Sequence, residues 1–169
     1  MAGQLVQVAT NTVTSAVASV TLTGIDSDDV YMVAISGLSP ATSQVLRGRL
    51  TESGTENTTA NYDFAAKGFK TSAAFENNSG ANYSYFNISD SYVNATTKKN
   101  FNGIFYIYNA NNSSEYTFIT FETSQFAGSE LYGNQGGGVF TVTSAVDGIY
   151  FYISGINIDS GTFTLYKVV

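Results

Sequence analysis

The sequence predicts an all-β chain, an antiparallel β-sandwich or jelly roll of about nine short strands. Three observations carry that prediction. Apolar and polar residues alternate over short runs, which is the two-residue period of a half-buried strand. Gly, Asn, Asp and Ser fill the gaps between the runs, where tight turns need them. Helical spacing is poor throughout, and its best stretch, a turn or two over residues 60–69, is interrupted by Gly68.

The strands follow in order. Residues 4–10 read as an N-terminal edge strand or an arm, and residues 17–22 as a second strand. Tyr31, Val33 and Ile35 then alternate with Val30, Met32 and Ala34, in a run closed by Gly37 and by Pro40, the single proline. Leu46, Gly48 and Leu50 alternate with Val45, Arg47 and Arg49, so both arginines are expected on one, more exposed face. Residues 52–59 are polar enough for a loop. Tyr83, Tyr85 and Asn87 oppose Ser84, Phe86 and Ile88 in the next run. Ile104-Phe105-Tyr106-Ile107-Tyr108 is apolar or aromatic on both faces, which predicts a strand with the core on one side and an aromatic patch, loop or partner on the other. Thr117, Ile119 and Phe121 oppose Tyr116, Phe118 and Thr120. Gly133 to Gly138 reads as a hinge-like loop, its glycines suited to positive φ or to close approach by a neighbouring subunit. Three last runs cover residues 139–143, 149–154 and 162–168, the final pair read as a hairpin with a long turn over residues 155–161.

At 169 residues the chain suits one domain. The expected division is an arm or edge strand over residues 1–12 and one sandwich over residues 13–169. Cysteine and histidine are both absent. Their absence removes disulfides, thiolate chemistry and a Ser-His-Asp triad, along with the commonest metal ligand. Thirteen carboxylates against seven basic residues give a net charge of −6, unsuited to nucleic acid, which is held by clustered Lys and Arg. The pair Lys98-Lys99 reads as a solvated turn. No apolar run approaches the ~20 residues of a transmembrane helix, so no membrane insertion is expected.

Charged residues make up 12% of the chain, about half the usual share, and Thr, Ser and Asn supply more than a quarter of it. The first basic residue is Arg47, so the N-terminal region lacks the basic stretch of a secretion signal. The chain is therefore expected to fold where it is made. A charge-poor surface of this kind without a secretion route is expected of viral coat and appendage proteins, which assemble in the host cytoplasm and are exposed on the particle exterior.

Little in the chain suggests catalysis. Asp63, Glu76, Glu115, Glu122 and Glu130 are the carboxylates from which a glycosidase pair would be drawn. None lies in a motif, and no enzymatic activity or cofactor is expected. Asp26-Ser27-Asp28-Asp29 has oxygens that suit calcium, but it lacks an EF-hand's spacing and reads as an acidic turn before a strand. The glycine run lacks the Lys-Ser or Lys-Thr of a phosphate loop. Seven Asn-X-Ser/Thr sequons, at Asn57, Asn77, Asn82, Asn87, Asn94, Asn111 and Asn112, follow from the Asn, Ser and Thr content. Twelve tyrosines matter more, because Tyr offers a rigid, partly polar contact surface for proteins and sugars. Asn82, Tyr83, Tyr85 and Tyr92 form the expected glycan or partner face.

Two stretches carry a resemblance. Val20-Thr21-Leu22-Thr23-Gly24-Ile25-Asp26 with Val30-Tyr31-Met32-Val33-Ala34-Ile35-Ser36-Gly37-Leu38, and the terminal Gly161-Thr162-Phe163-Thr164-Leu165-Tyr166-Lys167-Val168, resemble small jelly-roll structural proteins of tailed bacteriophages, the marine and cyanobacterial ones above all. The resemblance implies a role on the virion exterior as a capsid decoration or cement protein, a head-fibre or knob protein, or a fibre-tip module. It also implies homo-oligomers, trimers foremost, with an N-terminal arm or an aromatic sheet face buried between subunits. The partners expected are the major capsid protein or other virion proteins, met through Gln4, Leu5, Val6 and Val8 of the arm. The alternative is a tail-fibre module that binds a receptor or a host surface glycan.

Overall fold

The computed structural model describes residues 3–89, 92–96 and 100–169. Met1, Ala2, Lys98 and Lys99, and with them the expected lysine turn, lie outside these residues. The described chain is all-β, with thirteen strands and no α-helix. They are β1 (Leu5–Val13), β2 (Ser19–Thr23), β3 (Tyr31–Pro40), β4 (Leu46–Glu52), β5 (Thr55–Glu56), β6 (Tyr62–Lys70), β7 (Phe75–Tyr83), β8 (Phe86–Asn87), β9 (Phe101–Tyr108), β10 (Thr117–Ala127), β11 (Glu130–Phe140), β12 (Gly148–Ile153) and β13 (Ile158–Val168). Every pairing is antiparallel.

An eight-stranded sheet runs β1-β13-β3-β9-β10-β11-β6-β7, and a smaller one runs β2-β12-β4-β5 with β8 also on β4. Once β5, β6, β7, β10 and β11 are set aside, the orders reduce to β1-β13-β3-β9 facing β2-β12-β4-β8. Successive strands then alternate between two sheets except at β4 and β8, which neighbour each other in the small one, the connectivity of a double-sheet jelly roll. The remaining strands are two insertions, β5 to β7 between β4 and β8, and the β10–β11 hairpin between β9 and β12. Together they double the width of one sheet.

The core lies between the sheets. Phe151 of the small sheet packs on Phe105 and Phe163 of the large one, with ring centroids 5.5 and 5.7 Å apart. A second cluster joins Tyr62 to Phe86 and Phe140, each at 4.8 Å. All six rings are fully buried, and burying each one instead of leaving it in water stabilises the fold by roughly 1.5–3 kcal/mol.

Several sequence expectations change. Residues 60–69 hold no helical turn; β6 covers most of them, its Tyr62 and Phe64 turned inward and Ala65 and Lys67 outward. The run from Gly133 to Gly138 is no loop but the middle of β11, and none of its glycines has positive φ. These glycines are there for closeness within the chain. A Cβ on Gly136 would lie 2.5 Å from that of Ala66, and one on Gly138 would lie 2.6 Å from the Phe86 ring. Residues 149–154 and 162–168 do not pair as a hairpin, because β12 and β13 belong to different sheets. Buried Ile158, bonded through its backbone to Val17, starts β13 inside the expected turn. The polar stretch over residues 52–59 contains the short β5, reached through a turn with Ser53 and Gly54 at φ 52° and 75°. The run over residues 83–88 breaks after Tyr83, so that Phe86 can cross to the small sheet.

Candidate interaction face

The large sheet buries one face and leaves the other open. Along β10 the burial alternates strictly: Thr117, Ile119, Phe121, Thr123 and Gln125 point inward, while Phe118, Thr120, Glu122, Ser124 and Phe126 point outward. Strand pairing carries this parity across the sheet. One outward row runs Met32, Tyr106, Thr120, Gly137, Ala65, Ser79, and the next runs Ala34, Ile104, Glu122, Gln135, Lys67, Asn77. Beyond them lie Phe69 and Phe75 on one side and Tyr108 and Phe118 on the other.

This outer face is apolar to an unusual degree. Ile104, Tyr106, Phe118, Phe126, Leu131, Phe69 and Phe75 are between 38% and 68% exposed, and every one of them stands on it. Soluble monomers rarely expose a contiguous apolar patch beyond a few hundred Å². The relief is uneven. A groove of about 490 Å³ follows Ala34, Ile104, Glu122 and Gln135 towards Phe69, and a shallow hollow of about 400 Å³ lies over Ala65, Gly80 and Gly137 beside Phe118. The small residues make the hollow and the aromatic rings stand around it.

Polar groups on the face are few. Gln135 Nε2 donates to Glu122 Oε1 at 2.8 Å, and Lys67 Nζ donates to Asn77 Oδ1 at 3.0 Å while lying 5.6 Å from the Phe75 ring centre. Among the described residues Glu122 has no cationic partner and Lys67 no carboxylate partner.

The outer face of the small sheet is different. Arg47 and Arg49 share it, as their alternation requires, and both stack on tyrosine. The Arg47 guanidinium lies 4.0 Å from the Tyr85 ring centre, and that of Arg49 lies 4.7 Å from Tyr152. Ser154 Oγ and the Ser84 carbonyl accept from them. Burial pushes the Tyr152 phenol above its usual range.

The residues expected to bind partners are divided by the fold. Gln4 is held by two backbone bonds to Val169, at 2.6 and 2.9 Å. Leu5 and Val6 sit in β1, paired with Val168 and Lys167 and about half exposed, and Val8 stands at the bulge in β1 and packs on the core. Residues 5–12 are thus an edge strand, with no free arm among them. Tyr83 and Tyr85 meet ring to ring at 5.4 Å. Asn82, at φ 58°, donates its N–H to Asp63 in the turn before them. Tyr92 is exposed and has no ring contact with that pair.

The carboxylates do not converge. Glu122 faces outward on β10, Glu76 pairs with Lys70, Asp63 accepts from Asn82 and Glu130 from Ser72. Glu115 lies in the loop between β9 and β10. The acidic turn is tied by its neighbours. Asp26 accepts from Tyr31, Asp28 from Asn112, and Asp29 meets Lys167 at 2.8 Å. The Tyr31 hydroxyl bond and then Lys167 hold Asp26 below the usual carboxylate range, and the Lys167 bond does the same for Asp29. Among the described residues no three side chains of metal-binding type gather.

Sequence reasoning found the aromatic outer side of β9 but not its extension over β10, β11, β6 and β7. The alternation of Phe118, Thr120, Glu122, Ser124 and Phe126 was the available signal; the glycines of β11 hid the neighbouring strand.

No known family profile matches the chain, and no curated protein is similar to it. Among solved structures, chains of infectious bursal disease virus, strains Gt and Gx, align with 99% of this chain at 11% and 10% identity, with TM-scores of 0.15 and 0.14. This chain spans 40% and 41% of their lengths, and a likeness at those scores carries no argument.

Proposed function

We propose that the protein is a non-enzymatic structural protein of a virion exterior, a capsid decoration or head-knob protein, held in its assembly through the outer face of the large sheet. The observation that carries this reading is the broad, exposed, aromatic face itself. A protein that acted alone in water would pay for such a surface in solubility, whereas one that adds area to a repeating lattice uses it. Each copy then contributes modestly, and repetition supplies the strength. The phage-like strand motifs at the two ends of the chain support the same reading. The scattered carboxylates and the absent histidines speak for a role without catalysis. The test is the copy number of this chain in purified particles, by quantitative mass spectrometry against the major capsid protein. A number that matches the capsid lattice supports decoration, and absence from the particle ends the proposal.

A second reading, recognition of a host glycan from a tail fibre, is supported by the stacks of Arg47 on Tyr85, beside Tyr83, and of Arg49 on Tyr152, which offer flat rings and donors on one surface. A few copies per particle, with glycan-array binding that Tyr85→Ala removes, would favour it.

A further inference from the structure

We infer that the outer face of the large sheet pairs with the same face of a second copy of this chain, about a two-fold axis that runs along β11. The inference rests on the reading of that face as an assembly surface and names what covers it. Three features of the face select a second copy.

The first is its charge. Gln135 stands at the centre of one outward row, with Glu122 beside it on β10 and Lys67 beside it on β6. The two charges are separated by two strand spacings, about 10 Å, and neither has a partner of opposite charge among the described residues. A two-fold axis along the central strand exchanges the flanking strands. Glu122 of each copy then faces Lys67 of the other, and Gln135 faces Gln135, which is the reciprocal pattern an isologous interface requires. Asp63, the remaining charge on the face, lies at its end with its carboxylate accepting the Asn82 N–H at 2.7 Å.

The second feature is shape. In the neighbouring row the same operation carries Tyr106 of one copy over Ser79 of the other and Thr120 over Ala65, because Gly137 is the central residue and Thr120 and Ala65 flank it. The hollow over Ala65, Gly80 and Gly137 lies beside these small residues. Tyr106 and Ile104 of β9 thus meet the shorter Ser79 and Asn77 of the partner's β7, and they do so twice.

The third is area. Five strands at ~4.8 Å spacing and some eight residues of length give roughly 600 Å² in projection. The relief of the side chains raises this towards the ~800 Å² per partner of a standard stable interface. Stacked sheets at an angle of about 30° are an ordinary packing, so the sheet's twist is no obstacle.

The test is sedimentation equilibrium of the purified chain and of three variants, with circular dichroism and thermal melting to show that each is folded. Glu122 and Lys67 are both exposed, so reversing them leaves the core intact. Wild type is expected to be a dimer at micromolar concentration. E122K and K67E alone place like charges opposite each other, and each is expected to weaken the dimer ten-fold or more. The double variant E122K/K67E restores the pairing with its signs exchanged and is expected to return to within about three-fold of wild type. A wild-type monomer at all concentrations, a trimer, or single variants as tight as wild type would each overturn the proposal. A monomer that is nonetheless found on particles would fail this inference alone, and a dimer absent from particles would fail the virion reading alone.

Discussion

Lys167, near the end of the last strand, reaches Asp29 in the loop between β2 and β3, with Nζ 2.8 Å from the carboxylate. Nζ also donates to Ser27 at 2.7 Å and lies 3.8 Å from Asp26. One side chain therefore ties the closing strand of the jelly roll to the turn that launches β3. Both aspartates are held below their usual range and Lys167 is held above its own, Asp29 being the leading cause for the lysine.

A pH dependence follows with a definite sign. A carboxyl whose pKa is lowered on folding stabilises the native state above its ordinary value of 3.8, and the contribution is lost as pH falls through the lowered value. Lys167 acts in reverse: its contribution is present below 10.5 and is lost as pH rises through its raised value. The melting temperature of wild type should exceed that of Lys167→Met near neutrality, and the two curves should converge both well below the ordinary carboxylate value of 3.8 and in strong alkali. Parallel curves would contradict the assignment. The two aspartates are exposed and Lys167 is half-buried, so the separation will be small and will shrink further in high salt.

Phe151 is the ring on which the two sheets meet, fully buried between Phe105 and Phe163. Phe151→Ala should cost about 3–5 kcal/mol in urea unfolding, with the slope unchanged. A loss below about 1 kcal/mol would mean that the sheets close by other contacts.

Gly138→Ala isolates the close approach within β11. The added methyl would meet the Phe86 ring at 2.6 Å and the Asp63 carbonyl at 2.7 Å. The expected cost is roughly 1–3 kcal/mol. Gly128→Ala is the comparison, a position with open space but φ of 61°, where strain replaces collision. Were the glycine run a mobile hinge, Gly138→Ala would be neutral or stabilising.

Tyr62 fastens β6 to the start of the first insertion. Its hydroxyl donates to the Asn57 carbonyl at 2.8 Å and accepts from the Leu50 N–H at 3.2 Å. Burial pushes the phenol far above its ordinary 10.0. Tyr62→Phe should destabilise by about 1–3 kcal/mol. In an alkaline absorbance titration it should remove the last tyrosine to ionise, and loss of an early one instead would contradict the assignment.

How much of this was legible in the sequence depended on whether neighbours within one strand carried the signal. β3, β4, β9 and β12 show alternation of their own, and so they were read near their true places. β6, β7 and most of β11 were not. In β11 glycine stands where packing leaves no room for a side chain, and composition alone cannot distinguish that use from a flexible loop. Asn77, Asn78 and Ser79 line an edge strand with little to bury. The same strands hid half of the candidate face, because Lys67, Gln135, Phe69 and Phe75 come together only through pairings between distant segments. The aromatic outer side of β9 could be seen from Ile104, Tyr106 and Tyr108, since one strand was enough to show it.

Whether the outer face of the large sheet is the surface covered in the assembly is decided by hydroxyl-radical footprinting of the chain, free in dilute solution and in its assembled state. Protection is expected to concentrate at Tyr106, Phe118 and Phe75 on the outer face of the large sheet, with Tyr92 and Tyr150 as reactive as before. Protection of Tyr92 and Tyr150 with no change at Tyr106, Phe118 and Phe75 would contradict it.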